Sequence, residues 1–170
     1  MTIPNDVKQL ISGMADALGA RLREQHIDKP IMIGVHSGGV WVAERLHRLL
    51  ALDEPLGTLD ISFYRDDFTR IGMNPQVKPS NLPVTVDDRH IVLVDDVLYT
   101  GRTIRAALNE IFDYGRPASV TLAVLVDRGG RELPIQADIT GTRIALRPDQ
   151  HIKLAGPDGL ALSISAAPEK

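Results

Sequence analysis

Apolar residues recur along the chain at two spacings, one typical of helices and the other of buried strands. Between Val7 and Leu22 they recur at intervals of three and four residues, which predicts an amphipathic helix. The same spacing predicts a second helix after Gly39 and a third that begins near Thr103 and ends at Gly115. The side chains predicted to face inward from the third helix are Ile104, Ala107, Leu108, Ile111 and Phe112.

Short apolar runs between these helices predict strands. Three runs are continuous and one alternates between apolar and polar residues; they span 31–35, 91–94, 119–126 and 59–64, respectively. Strands that alternate with helices over this length predict an α/β fold with a doubly wound, mostly parallel sheet. Two weaker apolar stretches, 152–154 and 160–164, predict an extension of one edge of that sheet.

Turn-forming residues interrupt the pattern from Arg65 to about residue 90. This stretch contains three prolines, a glycine and several Asn and Asp residues. A loop this long inside a compact domain is usually functional, so we expect a long flexible active-site loop over 65–90. Because no repeat or boundary divides the rest of the chain, residues 1–170 predict a single domain.

Composition and charge narrow the class of protein. Of the 170 residues, 44% are hydrophobic and 24% charged, values typical of globular domains and not of disordered or membrane-spanning chains. The chain has no cysteine, which excludes disulfides, thiolate metal sites and a cysteine nucleophile. Its net charge of −3 gives no general attraction to nucleic acids or anionic membranes. These features predict a cytoplasmic protein that acts on a small molecule.

The strongest chemical signal is the run 91–103, in which an apolar strand leads into two acids and a threonine-glycine turn. Asp95 and Asp96 end the predicted strand, at the edge where parallel sheets bind ligands. The turn after them meets the start of a helix, whose free N–H groups and dipole favour a phosphate. Carboxylates suited to ribose hydroxyls, beside a phosphate cradle, predict a sugar-phosphate ligand. The residues of this cradle are Val97, Leu98, Tyr99, Thr100, Gly101, Arg102 and Thr103.

The same run resembles the phosphoribosyl-pyrophosphate motif of type I phosphoribosyltransferases. Three further stretches, 59–67, 112–118 and 126–135, are similar to the bacterial family of bifunctional pyrimidine operon regulators and uracil phosphoribosyltransferases. The resemblance extends from about residue 5 to residue 165. It implies a type I phosphoribosyltransferase fold with a small hood, and transfer of phosphoribosyl from its pyrophosphate to uracil, giving UMP and pyrophosphate.

The resemblance also implies roles for the residues at the strand ends. Asp95 and Asp96 would hold the ribose hydroxyls, one of them through the shell of a Mg²⁺ ion bound mainly by phosphoribosyl pyrophosphate. The turn 99–103, here called the phosphate turn, would wrap the 5′-phosphate, and Arg65 would close over the site. The pyrophosphate would meet the backbone of His36, Ser37, Gly38 and Gly39, and the base would lie at Val126, Asp127 and Arg128.

One residue departs from the family pattern: Gly38 stands where many members carry an arginine that faces pyrophosphate. This substitution leaves open a regulatory protein that senses uridine nucleotides, UMP or UTP, and binds pyrimidine-operon messenger RNA with weak or no catalysis. A phosphoribosyltransferase for another base is a second alternative. A hydrolase with Ser37 as nucleophile is a third, although Val35 breaks the usual G-x-S-x-G pattern. The family further implies a homo-oligomer.

Overall fold

The computed structural model describes residues 6–61 and 80–166, which form three helices and seven strands. The helices are α1 (Val7–Glu24), α2 (Gly38–Leu49) and α3 (Arg102–Tyr114). The strands are β1 (Ile31–Val35), β2 (Gly57–Leu59), β3 (His90–Leu98), β4 (Ser119–Asp127), β5 (Ile139–Arg143), β6 (Gln150–Ala155) and β7 (Ala161–Ala166). Among the described helices, none is both long and apolar enough to cross a membrane.

Five strands form one parallel sheet in the order β2-β1-β3-β4-β5. The core residues of α1 and α2 pack against one face of this sheet and those of α3 against the other. Because both faces are covered, the central strands are buried on both sides and read as continuous apolar runs. The predicted doubly wound α/β fold is confirmed, and the winding reverses between β1 and β3.

The C-terminal strands differ from the prediction. β6 and β7 pair only with each other, antiparallel, so the expected extension of the main sheet is wrong. Their hairpin packs on the α1–α2 side of the molecule through Leu154, which is 3% exposed. It is also held to α2, because Arg45 Nη2 donates to the carbonyl oxygen of Pro157 at 2.8 Å. The hairpin thus lies outside the main sheet, against the α1–α2 side.

Several boundaries also differ. β2 ends at Leu59, where the prediction begins it, because its register with β1 stops at Val35↔Leu59. β3 continues four residues beyond Val94, so the acidic pair lies inside a strand. Phe112 is 57% exposed and not part of the core, since it lies one position beyond the buried Ile111 on α3.

The predicted loop 65–90 is described only from residue 80 onward, and residues 65–79 lie outside the described ranges. The described part is irregular, as expected, but it is anchored to the domain. Asn81 and Thr58 exchange two backbone hydrogen bonds of 2.8 Å each, and Val86 is 2% exposed. Residues 80–89 therefore belong to the packed body of the domain.

Candidate active site

Two strand-to-helix connections meet at the carboxyl edge of the sheet. β1 leads through residues 36–37 into α2, and its neighbour β3 leads through the phosphate turn into α3. The helix starts bring unpaired N–H groups and positive dipole ends to the point where the winding reverses. The segments predicted to bind pyrophosphate and the 5′-phosphate are therefore brought to one edge.

α2 begins directly against the acidic pair of β3. A Cβ atom built on Gly38 would lie 2.7 Å from Cγ of Asp96 and closer still to its Oδ2. A Cβ atom built on Gly39 would lie 2.7 Å from the carbonyl oxygen of Val94. No side chain fits at these distances, so two glycines allow the helix start to approach the strand. An arginine at position 38 would have to displace the carboxylate of Asp96.

The residues before α2 are oriented by the neighbouring backbone. The N–H of His36 donates to the carbonyl oxygen of Leu59 at 2.9 Å, which ties the connection to β2. Ser37 is the exposed N-cap of α2, and its carbonyl oxygen accepts from the N–H groups of Val40 and Trp41 at 3.1 and 3.3 Å. The peptide bond between His36 and Ser37 is cis. The start of α2 is thus a helix N-terminus at the sheet edge, a position that suits an anion.

The two acids are held by their own strand. Asp95 is 5% exposed, and its Oδ1 accepts the N–H of Asp96 at 2.8 Å. Asp96 is half-buried, and its Oδ1 accepts the N–H of Val97 at 2.8 Å. These bonds fix both carboxylates at the sheet edge, where they can accept hydrogen bonds from hydroxyl groups. Leu98 is 1% exposed, so its side chain belongs to the core and only its backbone can contact a substrate.

The phosphate turn is shaped by Gly101, which has a φ of 96° and is the N-cap of α3. Only glycine adopts this left-handed conformation readily, and a Cβ atom there would also lie 3.0 Å from Cγ1 of Ile135. Thr100 Oγ1 accepts the N–H of Arg102 at 3.2 Å, and Thr103 is half-buried in the first turn of α3. The turn is therefore compact and leads directly into the N-terminus of α3.

The end of β4 supplies the third part of the site. Val126 is fully buried, so its side chain, like that of Leu98, lies in the core. Arg128 is 7% exposed, and its guanidinium carbon lies 3.8 Å from the ring centroid of Tyr99. Asp127 accepts two hydrogen bonds from Arg131 Nη2, at 2.9 and 2.7 Å. The base-site residues implied by the resemblance are thus joined to the phosphate turn.

The pKa of Asp127 is clearly shifted. Burial raises its pKa, but hydrogen bonds from Arg131 and the Gly129 N–H, and the charges of Arg131 and Arg143, outweigh burial and hold it below its ordinary value of 3.8. Because the folded-state pKa is depressed, ionised Asp127 adds to the free energy of unfolding above about pH 4, and this contribution is lost as the pH falls through the folded-state pKa.

We therefore expect Asp127→Asn to lower the free energy of unfolding at about pH 7. The difference in this free energy between variant and wild type should shrink as the pH falls below about 4. Urea unfolding at several pH values measures the difference. Asp149→Asn is the matched control, because Asp149 forms an ion pair of 3.2 Å with Arg147 in which both side chains are more than half exposed. A deficit for Asp127→Asn that does not change with pH would contradict this prediction.

An open cavity of about 560 Å³ lies elsewhere, between α1, α2 and the turn of the β6–β7 hairpin. Its walls include Val7, Ile11, Leu49 and Leu160 together with Arg45. No residue predicted for the site lines it.

Three residues in or near the candidate site show the limits of prediction from the sequence. Arg65, expected to close over the substrate, lies outside the described ranges. Asp60 is a buried acid just after β2 that the sequence analysis did not single out; its N–H donates to Ser80 Oγ at 3.1 Å. Arg131 was also not predicted to belong to the site. The only signal for it was its place in the stretch 126–135, four residues after Asp127.

Solved structures share this fold. A hypoxanthine phosphoribosyltransferase from Trypanosoma cruzi, solved as a ternary substrates complex, superposes with a TM-score of 0.66 over 82% of this chain and 78% of its own, at 22% identity. A hypoxanthine phosphoribosyltransferase from Staphylococcus aureus gives 0.62 over 81% and 74%, at 18% identity. At these identities the likeness establishes the fold alone.

Sequence comparison establishes the family. Residues 6–153 match the phosphoribosyl transferase domain. The chain is 62% identical over 170 aligned residues to Bifunctional protein PyrR of Nitrosococcus oceani, and the alignment covers 96% of each chain. It is 58% identical over 162 residues to Bifunctional protein PyrR of Pseudomonas aeruginosa, and that alignment covers 95% of each chain. The resemblance seen in the sequence is confirmed, and the hydrolase alternative loses its support. The chain belongs to the phosphoribosyltransferase family and, within it, to the family of the bifunctional PyrR proteins.

Proposed function

We propose that this protein is a uracil phosphoribosyltransferase that also regulates the pyrimidine biosynthesis operon in response to uridine nucleotides. Family membership supports the transferase class, and the name of the relatives supports two activities. The observation that carries the catalytic assignment is the close packing of Gly38 on Asp96, beside the phosphate turn. This packing supports a site in which the helix starts would bind the phosphates and the carboxylates would bind the ribose of one ligand. The protein then works in the cytoplasm, as a homo-oligomer, with messenger RNA as its regulatory partner.

The reaction requires mainly positioning and charge stabilisation from these residues. The bond from C1 of the ribose to pyrophosphate breaks, N1 of uracil loses its proton and bonds to C1, and the ribose ring carries positive charge in between. Asp95 and Asp96 lie where their charge would stabilise that ring, and the N–H groups at the start of α2 would stabilise the leaving pyrophosphate. Arg65 would close over the site, add positive charge and exclude water.

Mg²⁺ fits this donor set as an ion brought by the substrate. Within the described ranges, no cluster of three or more His, Cys, Asp or Glu residues could hold a metal by itself. Asp95 and Asp96 are hard oxygen donors at the site and would reach such an ion directly or through water. When bound, the ion neutralises charge on the pyrophosphate.

Pyrophosphate release with phosphoribosyl pyrophosphate, Mg²⁺ and each free nucleobase in turn tests the proposal. We expect turnover with uracil, and none with purines. Gly38, which cannot contribute a guanidinium to the pyrophosphate, specifically favours the second candidate, a nucleotide-sensing regulator without catalysis. Binding of UMP without turnover of any base would support that sensor, and turnover with a different base would replace the uracil assignment.

A further inference from the structure

The loop that follows β4 is hydrogen-bonded to the backbone of the phosphate turn. This loop, residues 127–133, makes three hydrogen bonds to backbone carbonyls of the turn. Arg131 Nη1 donates to the carbonyl oxygen of Tyr99 at 2.6 Å. The N–H groups of Glu132 and Leu133 donate to the carbonyl oxygen of Thr100 at 2.9 and 3.1 Å. Both carbonyls at the start of the turn therefore point toward the loop.

The orientation of these carbonyls decides where the N–H groups point. In a trans peptide the C=O of one residue and the N–H of the next point in opposite directions. Holding the Tyr99 carbonyl against Arg131 therefore turns the N–H of Thr100 away from the loop. The bonds to the Thr100 carbonyl do the same for the N–H of Gly101. Both N–H groups then face the side where α3 begins and a phosphate binds.

Arg131 is itself rigidly placed. Its Nη2 donates to both carboxylate oxygens of Asp127, and the Arg131 side chain is only 24% exposed. The side chain of Tyr99 is confined as well, by the guanidinium of Arg128 at 3.8 Å and by Gly130, where a Cβ atom would lie 2.6 Å from the ring carbon Cε2. Arg131 and Tyr99, the two side chains that set the position of the turn, are therefore both held in place by their neighbours.

We propose that Arg131 is a positioning residue for the 5′-phosphate: anchored by Asp127, it holds the Tyr99 carbonyl so that the N–H of Thr100 faces the phosphate. This inference rests on the proposed phosphoribosyl function. It assigns a role to a residue that acts through the backbone of the turn and does not touch the substrate.

Calorimetric binding of UMP and of uridine, which lacks the phosphate, tests this role. We expect Arg131→Met to weaken UMP binding about ten-fold, the loss of one charge-assisted hydrogen bond, and to leave uridine binding within about two-fold. Arg131→Lys, which can still donate one bond to Tyr99, should lose less. Magnesium pyrophosphate, which we expect to bind at α2, should bind all three proteins equally. Equal losses for UMP and uridine, or no loss for either, would overturn the proposal.

Gly130→Ala tests the same support without removing a charge. Its Cβ atom would push on the ring of Tyr99, whereas the Cβ atom of Gly129→Ala meets nothing within 4 Å. Both glycines have a positive φ, 79° and 72°, so the backbone strain is matched. We expect only Gly130→Ala to weaken UMP binding relative to uridine. Equal effects of the two variants on UMP would overturn the proposal.

The uracil assignment and the positioning role fail in different ways. If the wild type binds ribose 5-phosphate but not UMP, the uracil assignment fails, and the same ten-fold loss is expected for ribose 5-phosphate in Arg131→Met. An unchanged affinity for ribose 5-phosphate would then overturn the positioning role. Wild-type protein that binds neither compound would overturn both.

Discussion

Replacing both acids, in the double variant Asp95→Asn, Asp96→Asn, is expected to lower kcat/KM for phosphoribosyl pyrophosphate by about a hundred-fold to a thousand-fold. The variant keeps the shape of both side chains and the acceptor for the N–H of Asp96, but it removes the two negative charges that we propose stabilise the ribose ring. Because Asp95 is 5% exposed and lies within β3, the folding of the variant is measured separately.

Steady-state kinetics of pyrophosphate release measure this effect, with thermal unfolding as the check on folding. The matched control is Asp16→Asn, Asp113→Asn, which removes the same charge from exposed positions on α1 and α3. Activity within about ten-fold of wild type in the Asp95, Asp96 variant would exclude a central role for the pair.

Gly38→Ala is expected to lower kcat/KM by at least about thirty-fold, since a displaced catalytic group commonly costs that much. The new methyl group would collide with the carboxylate of Asp96, at a position where the backbone itself imposes no strain. Gly38→Arg, which introduces the residue common in the wider family, should be at least as impaired, because its Cβ atom meets the same obstacle. A gain in activity in Gly38→Arg would show that Asp96 can move without penalty.

The control for Gly38→Ala is Gly13→Ala, an exposed position within α1 where a Cβ atom meets nothing within 4 Å. Alanine is a better helix former than glycine, so this control should raise the free energy of unfolding by about 0.5–1 kcal/mol and leave kinetics unchanged. The pair of variants separates the effect of a methyl group on the site from its general effect on a helix.

The parts of the fold that were predictable are those whose burial is visible in the sequence. α1, β1, α3 and β4 have apolar spacings that follow from packing on one or two sides, and their observed bounds lie within about three residues of the predictions. β5 was missed because most of its residues are only half-buried, and it carries two threonines and a glycine instead of an apolar run. The β6–β7 hairpin was visible as two weak runs, but pairing partners depend on the whole fold.

Some features of the candidate site were likewise predictable from the local sequence, and others were not. The acids and the threonine-glycine turn were predictable because they are consecutive with a buried strand. The contact between Gly38 and Asp96 depends on β1 lying beside β3, which no local pattern encodes. The bond from Arg131 to Tyr99 joins residues 32 apart and likewise requires the neighbouring positions of β3 and β4.

The pairing of β1 with β3 has a consequence for how the protein folds. The register Ile31↔Ile91 joins segments separated by most of the N-terminal half of the chain, so closing that pair is entropically costly and slow compared with forming a helix. The helix starts and the acids come together only when this pair forms. Affinity for a phosphoribosyl ligand is therefore a property of the completed sheet, and an early compact intermediate that lacks the central pair would have none.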